Sequence, residues 1–233
     1  MMKIKIIAAL FLLSGLSALP HMSFAQQQPI DEELKLRQDQ VTYKAYIPAK
    51  YNLFEAIEGD LNKDGVKDVV LMVKATDPSA FVEHEYRGRL DRNRRGMIVL
   101  INEKGKFKPV VSNLNCFSSE NEDGGVYFAP ELWIEIKNNL FNVEYGHGRY
   151  GYWLYLFRLE GKDLRLIGYD ESSNHGPYVK SETSINFVTG KKVIRNNINQ
   201  DLEAEPKFKE SWSKIKQAPI FLSKIQDFDD LSF

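Results

Sequence analysis

Short apolar runs separated by turn residues make up most of the chain from Val41 onward, a pattern typical of β proteins. In residues 132–136, Leu132, Ile134 and Ile136 alternate with Trp133 and Glu135, and this alternation places the apolar side chains on one face of a strand. Strands are predicted at residues 53–58, 69–74, 97–102, 107–111, 132–136, 141–145, 152–159, 164–169, 183–187 and 192–195.

Turn residues between neighbouring predicted strands indicate hairpins. Asn138 and Asn139 can adopt the positive φ of a tight turn, and Gly105, Gly161 and Gly190 stand at comparable places. The fold class predicted is therefore mainly β, an antiparallel meander that forms a sandwich or a few blade-like sheets.

Two aromatic segments complete the predicted fold. Residues 150–157 are apolar on both faces of a strand, which predicts a central strand; the alternative is a sugar-stacking platform made by Tyr150, Tyr152, Trp153 or Tyr155. In residues 207–216, Phe208, Trp212 and Ile215 follow a helical spacing, so a short C-terminal helix is predicted to pack on the sheet.

The N-terminus has the order of a secretory signal. Lys3 and Lys5 precede an apolar run over residues 6–19, and Ser23 and Ala25 are the small residues expected before a cleavage site. The apolar run is shorter than the roughly 20 residues of a membrane span, so no span is expected in the mature chain. The predicted organisation is a signal peptide at 1–25, a polar leader at 26–40 with one or two helical turns, and a single calcium-stabilised β domain at 41–233.

Composition then limits the expected function. Cleavage after Ala25 would leave about 208 residues with 29 basic and 32 acidic side chains, a near-neutral balance that gives no indication of a nucleic-acid partner. The single cysteine, Cys116, cannot form an intramolecular disulfide, and it is predicted to be a small buried apolar residue. A periplasmic or secreted location is expected.

One segment has the spacing of a metal-binding loop. Asp60, Asn62, Asp64 and Asp68 occupy loop positions 1, 3, 5 and 9, and the carbonyl of Val66 lies at position 7. A calcium ion takes six to eight oxygen ligands, which alternate residues of a curled loop can supply together. Gly65 allows the sharp turn at position 6. The alternative is that these residues form Asx turns without any ion.

The segment resembles the calcium loops of FG-GAP and VCBS-type repeats, in which an Asp-x-Asp/Asn-x-Asp-Gly-x-x-Asp loop joins two strands of a β-propeller blade. The resemblance covers residues 53–74 and implies Asp60, Asn62, Asp64, Asp68 and the Val66 carbonyl as Ca²⁺ ligands. Leu71 stands where an EF-hand loop has its bidentate glutamate, which argues against a helix-loop-helix sensor. Because the loop occurs once and a propeller needs more residues, a complete propeller is not expected.

Two further groups of residues could have a chemical role. Arg87, Arg89, Arg92, Arg94 and Arg95 could bind anions, or they could pair with the acidic residues around them. His147 lies between glycines and His175 follows two serines, but no nucleophile-elbow or zinc-protease motif accompanies them. No catalytic residue is therefore assigned.

The sequence thus favours an exported, non-enzymatic β module that uses calcium for stability and binds an unidentified envelope or extracellular partner. The first alternative is a small exported hydrolase that uses His147 and His175. The second is a carbohydrate-binding protein, which requires at least two aromatic rings exposed on one face. Only the hydrolase requires a nucleophile and two titratable groups within hydrogen-bond reach.

Overall fold

Strands dominate the computed structural model, which describes residues 28–122, 131–199, 201 and 205–233. Within these residues there are one α-helix, α1 (Gln28–Tyr43), and thirteen strands. The strands are β1 (Tyr51–Gly59), β2 (Asp68–Ala75), β3 (Phe81–His84), β4 (Gly88–Asp91), β5 (Arg95–Glu103), β6 (Lys106–Phe117), β7 (Glu131–Lys137), β8 (Leu140–Gly146), β9 (Gly151–Glu160), β10 (Asp163–His175), β11 (Tyr178–Asn186), β12 (Lys191–Asn197) and β13 (Phe208–Lys214).

The strands form two main antiparallel sheets. The four-stranded sheet has the order β1-β2-β5-β6, and the seven-stranded sheet is a continuous meander from β7 to β13. The β3–β4 hairpin forms a separate pair. The predicted mainly β, antiparallel fold is confirmed, and the described residues form neither a closed barrel nor a propeller.

A shared core lies between the two sheets. Met72 and Val99 of the four-stranded sheet belong to the same buried cluster as Phe141 and Phe157 of the seven-stranded sheet. The C-terminal residues complete this core: the Phe228 ring is 0% exposed and stacks on Phe117 at 4.6 Å. Alternation along each strand explains this arrangement, because every second side chain points toward the facing sheet.

The opposite face of the four-stranded sheet is also covered. A second buried cluster joins Leu53, Leu71 and Leu100 to Tyr43 at the end of α1. The Tyr43 ring packs edge-on against Phe107 at 5.5 Å. Strand β2 is consequently buried on both faces over most of its length, in agreement with its uninterrupted apolar sequence.

Each of the ten predicted strands corresponds to a strand of the structure. The predicted turn positions also agree: Asn138 and Asn139 have φ values of 53° and 59°, and Gly105 and Gly161 have positive φ as well. Strand β9, predicted to be central, lies inside the seven-stranded sheet between β8 and β10.

The predicted C-terminal helix is wrong. Residues 208–214 form the edge strand β13, in which Trp212 pairs with Val193 and Glu210 pairs with Arg195. The same residues have a period of two as well as a helical spacing, and the aromatic residues favour the strand. Pairing with β12 satisfies the backbone N–H and C=O groups of β13, and the side chains of Arg195 and Glu210 form an ion pair at 2.9 Å.

The N-terminal predictions have mixed outcomes. The polar segment is more helical than the expected one or two turns, because α1 extends over 16 residues from Gln28. The predicted signal peptide, residues 1–25, lies outside the described residues. Among the described helices, none has the length and apolar character needed to cross a membrane.

Candidate functional site

The predicted metal loop connects β1 to β2 at the seam between the two sheets. Gly59, directly before the loop, lies so close to β7 that a Cβ atom there would be 2.5 Å from the Cβ of Ile136. At its other end, Asp68 is the first residue of β2 and pairs with Gly59. The 60–68 loop is therefore fixed at both ends by adjacent antiparallel strands.

The first half of the loop curls around the carboxylate of Asp60. Its Oδ1 accepts a hydrogen bond from the backbone N–H of Lys63 at 2.6 Å, and its Oδ2 accepts one from Gly65 at 3.0 Å. Lys63 and Gly65 both have positive φ, at 68° and 83°. The predicted sharp turn at Gly65 is thus present, and glycine adopts this conformation without steric cost.

Asn62 and Asp64 form successive Asx turns. Asn62 Oδ1 accepts the N–H of Asp64 at 3.0 Å, and Asp64 Oδ1 accepts the N–H of Val66 at 2.8 Å. The amide Nδ2 of Asn62 also donates to Asp64 Oδ2 at 2.9 Å. This NH₂ group brings partial positive charge next to the Asp64 carboxylate.

Asp68 occupies a different environment from the other loop carboxylates because it is completely buried. Its Oδ2 accepts the N–H of Leu61 at 2.8 Å, and its Oδ1 accepts the N–H of Asn102 at 2.9 Å. Among the described residues, no lysine, arginine or histidine lies within 4 Å of this carboxylate. Two backbone N–H groups therefore stabilise a buried acidic group that lacks an ion-pair partner in this part of the chain.

Two asparagines that the sequence did not indicate attach the loop to neighbouring hairpins. Asn102, at the end of β5, also donates its side-chain amide to the carbonyl of Lys67 at 3.2 Å. Asn139, in the β7–β8 turn, donates to the carbonyl of Asp60 at 2.8 Å. Asn139 was predicted only as a turn residue, and contacts across 34 and 79 positions leave no local signal in the sequence.

The donor chemistry of the loop suits a hard cation. Its side chains provide three carboxylates and one amide oxygen, and each carboxylate oxygen that accepts one N–H keeps further lone-pair capacity. The structure does not gather the carboxylates into one cluster: no three His, Cys, Asp or Glu side chains in the described residues form a group able to hold a metal. Asp68 faces inward, whereas Asp64 is exposed.

A second notable surface is the outer face of the seven-stranded sheet, opposite the shared core. Trp133 of β7 is 54% exposed and Tyr152 of β9 is 38% exposed. Gly146 of β8 lies between the strands that carry the two rings: it pairs with Tyr152, and the Trp133 ring lies above it. A Cβ at Gly146 would be 2.6 Å from Cζ3 of Trp133, so the absence of a side chain makes room for the indole.

Carboxylates surround these rings. Glu144 pairs directly with Trp133, Glu131 pairs with Gly146, and Asp170 pairs with Leu154 beside Tyr152. Burial raises the pKa of Tyr152, and the negative charges of Asp170, Glu182 and Glu144 raise it further. We call the surface made by Trp133, Tyr152, Glu131, Glu144 and Asp170 the Trp133 face.

The other predicted platform residues divide between the surface and the core. Tyr150 is exposed in a short 3₁₀ turn, Gly148–Tyr150, rather than in β9. Trp153 packs against the core, and Tyr155 is fully buried within it. Trp133, by contrast, was identified in the sequence only as a strand residue. Its exposure follows from the register of β7, which directs Leu132 and Ile134 inward.

The two histidines considered for hydrolysis occupy different environments. His147 is partly buried against Trp153, with 4.3 Å between ring centroids, and burial lowers its pKa although the charge of Asp229 acts in the opposite direction. His175 is exposed. Ser172 donates its hydroxyl to Asn174 Oδ1 at 2.7 Å. Within the described residues no serine hydroxyl is hydrogen-bonded to either histidine.

The arginine-rich segment is engaged within the chain. Arg94 forms an ion pair with Asp227 at 2.6 Å, and Arg95 is buried, donating to the carbonyl of Ser118 at 3.0 Å. Arg89 lies 4.5 Å from the centroid of the Phe81 ring. These contacts anchor the β4–β5 region to its surroundings and use much of the hydrogen-bonding capacity that an anion would need.

Comparison of the chain with protein-family models, with curated proteins and with solved structures gives no match in any of the three.

Proposed function

We propose that this chain is an exported, non-enzymatic β protein, periplasmic or secreted, which is stabilised by calcium and acts as a binding module of the bacterial envelope. The order of charged, apolar and small residues in 1–25 supports export. The exposed Trp133 face supports an envelope or extracellular partner, and the near-neutral charge offers no support for nucleic acid.

The observation that carries the calcium proposal is the curl of the 60–68 loop around Asp60 at the seam of the two sheets. The side chains of Asp60, Asn62, Asp64 and Asp68 and the carbonyl of Val66 would hold the ion. Calcium would neutralise most of the negative charge that three carboxylates place in nine residues, and it would replace the Asn62 amide as the positive group near Asp64.

Calcium titration followed by NMR tests this proposal directly. In the mature chain, the amide resonances of Lys63, Gly65 and Val66 should shift with half-saturation at about 10⁻⁴ to 10⁻³ M calcium, the range of extracellular modules. These amides donate to Asp60 and Asp64, so binding at the loop must perturb them.

Two variants distinguish calcium binding at the loop from a general effect of removing one negative charge. Asp64→Ala should abolish the shifts, whereas Glu83→Ala, which removes an exposed carboxylate from β3, should leave them unchanged. Unshifted loop amides at about 10 mM calcium in the unmodified chain would reject the metal proposal.

Carbohydrate binding is a second candidate function, favoured by one observation. Trp133 and Tyr152 are two exposed rings on the same sheet face, separated by a glycine rather than by a bulky side chain. Aromatic rings of this kind can stack on the apolar faces of sugars. The test is retention of the mature chain on immobilised polysaccharides, which Trp133→Ala should reduce.

A hydrolase that uses His147 and His175 finds less support. The hydroxyl of Ser172, the buried serine nearest these histidines in sequence, is directed to Asn174. This alternative would be restored if the mature chain hydrolysed an ester or glycoside substrate and the His147→Ala variant did not.

A further inference from the structure

We infer that the Trp133 face binds a glycan that carries free amino groups, such as a polymer of glucosamine. This inference rests on the proposed carbohydrate-binding function and deepens it by naming the charge of the ligand. The supporting observations are the shape of the surface, the spacing of its rings and the charge around them.

The shape of the surface favours a polymer over a compact small molecule. Trp133 and Tyr152 project from the outer face of the seven-stranded sheet, where both side chains are exposed. Small ligands usually need a cleft that buries most of their surface. An open sheet face can bury a ligand only when the ligand extends across it, as successive units of a chain do.

The spacing of the rings suits consecutive or alternate sugar units. Trp133 lies on β7 and Tyr152 lies on β9, two strand spacings apart, which corresponds to about 9–10 Å between backbones. The Trp133 indole leans over Gly146, the residue of β8 that pairs with Tyr152. Both rings can therefore stack on one saccharide chain that runs across β8.

The charge of the surface then selects among saccharides. In the described part of the chain, neither Glu131, Glu144 nor Asp170 has a basic side chain within 4 Å. By comparison, Glu182 is within 3.6 Å of Arg195. A neutral ligand that covered three such carboxylates would displace water without supplying a counter-charge, and this desolvation opposes binding.

Ammonium groups on the ligand would remove this penalty. A protonated amine can pair with Glu144 or Asp170, and it is also attracted to the negative face of the Trp133 ring. Both contributions require positive charge on the ligand, whereas sugar stacking does not. A free-amine glycan is the chemistry that uses the rings and the carboxylates together.

The experiment compares three probes by isothermal titration calorimetry with the mature chain in calcium buffer. They are a glucosamine hexamer with free amines, an N-acetylglucosamine hexamer and hexalysine. We expect the free-amine hexamer to bind at least about tenfold more tightly than either other probe, and we expect its binding to weaken with added salt.

Substitutions place the binding on the Trp133 face. Trp133→Ala should weaken binding of the free-amine hexamer about tenfold, and Glu144→Gln and Asp170→Asn should each weaken it about threefold. The matched control is Trp212→Ala on β13, at the far edge of the same sheet. Trp212 is 63% exposed and donates to Glu210, so its removal should leave the affinity unchanged.

Each contrary outcome is informative. Equal binding of the neutral and free-amine hexamers, both sensitive to Trp133→Ala, would overturn the charge preference and leave carbohydrate binding intact. Tighter binding of hexalysine would overturn the saccharide assignment. Binding of none of the three probes would overturn the inference, while the calcium response of the 60–68 loop would still test the proposed metal independently.

Discussion

The two sheets share one core but differ in what lies on their other faces. The four-stranded sheet is covered by the end of α1, and the side chains of Val70 and Leu71, on opposite faces of β2, are both fully buried. The seven-stranded sheet leaves its outer face to solvent, with Trp133 and Tyr152 exposed. A strand that is buried on both faces has no side chains available for a partner. A partner can therefore bind only to its connecting loops or to the exposed face of the other sheet.

The largest effect should come from the shared core. Phe228→Ala removes a fully buried ring that contacts Phe117, Tyr155 and Phe157, and it should lower the free energy of unfolding by about 3–5 kcal/mol. Leu154→Ala, on the outer face of β9, should cost less than about 1.5 kcal/mol. Urea unfolding checks both, and equal losses would contradict the distinction between the two faces.

The seam between the sheets should be the next most sensitive region. Gly59→Ala places a methyl group against Ile136 and should destabilise the fold by about 1–3 kcal/mol. In the double variant Gly59→Ala/Ile136→Gly, which removes the Cβ atom of Ile136 as well, the loss in the same unfolding assay should be smaller than the sum of the losses of the two single variants. Additive losses in the double variant would show that the contact at the seam is not the cause.

Within the 60–68 loop, the buried and exposed carboxylates should differ even without calcium. Asp68→Asn replaces one acceptor oxygen with an amide NH₂ that faces the N–H of Leu61 or Asn102, and it should cost about 1–2 kcal/mol. Asp64→Asn, at an exposed position, should cost less than about 0.5 kcal/mol when measured in chelator. A larger loss for Asp64→Asn would reverse the roles assigned to the two residues.

The smallest effect concerns pH. Because burial lowers the pKa of His147 in the folded chain, the unfolded chain gains a proton first as the pH falls below about 6.5. The contribution of His147 to stability is therefore complete above that pH and declines as the pH falls through the folded pKa. His147→Gln should reduce the decline between about pH 7 and pH 5 in urea unfolding. An unchanged pH profile would contradict the burial of this imidazole.

Sequence patterns predicted the strands well because apolar and polar residues alternate along a strand that has one buried face. The β3–β4 hairpin was missed since Phe81–His84 and Gly88–Asp91 are only four residues long each, too short for an alternating pattern to be recognised. Residues 207–216 were assigned to a helix because Phe208 and Trp212 satisfy both periods, and only pairing with β12 decides between them.

For the candidate site too, the sequence predicted the local features but not the contacts between distant segments. The spacing of acidic residues located the 60–68 loop and its turn at Gly65, since these features are local. Its supports, Asn102 and Asn139, come from distant hairpins that the tertiary fold brings together. The Trp133 face depends on strand register across β7, β8 and β9, which no single segment encodes.

The most direct test of the account is thermal unfolding of residues 26–233 with calcium and with chelator. If the loop binds calcium in the native state, about 10 mM calcium should raise the melting temperature by about 3–10 °C over chelator. Asp64→Ala should melt at the same temperature in both conditions. Superimposable melting curves for the unmodified chain with and without calcium would contradict a stabilising metal at this loop.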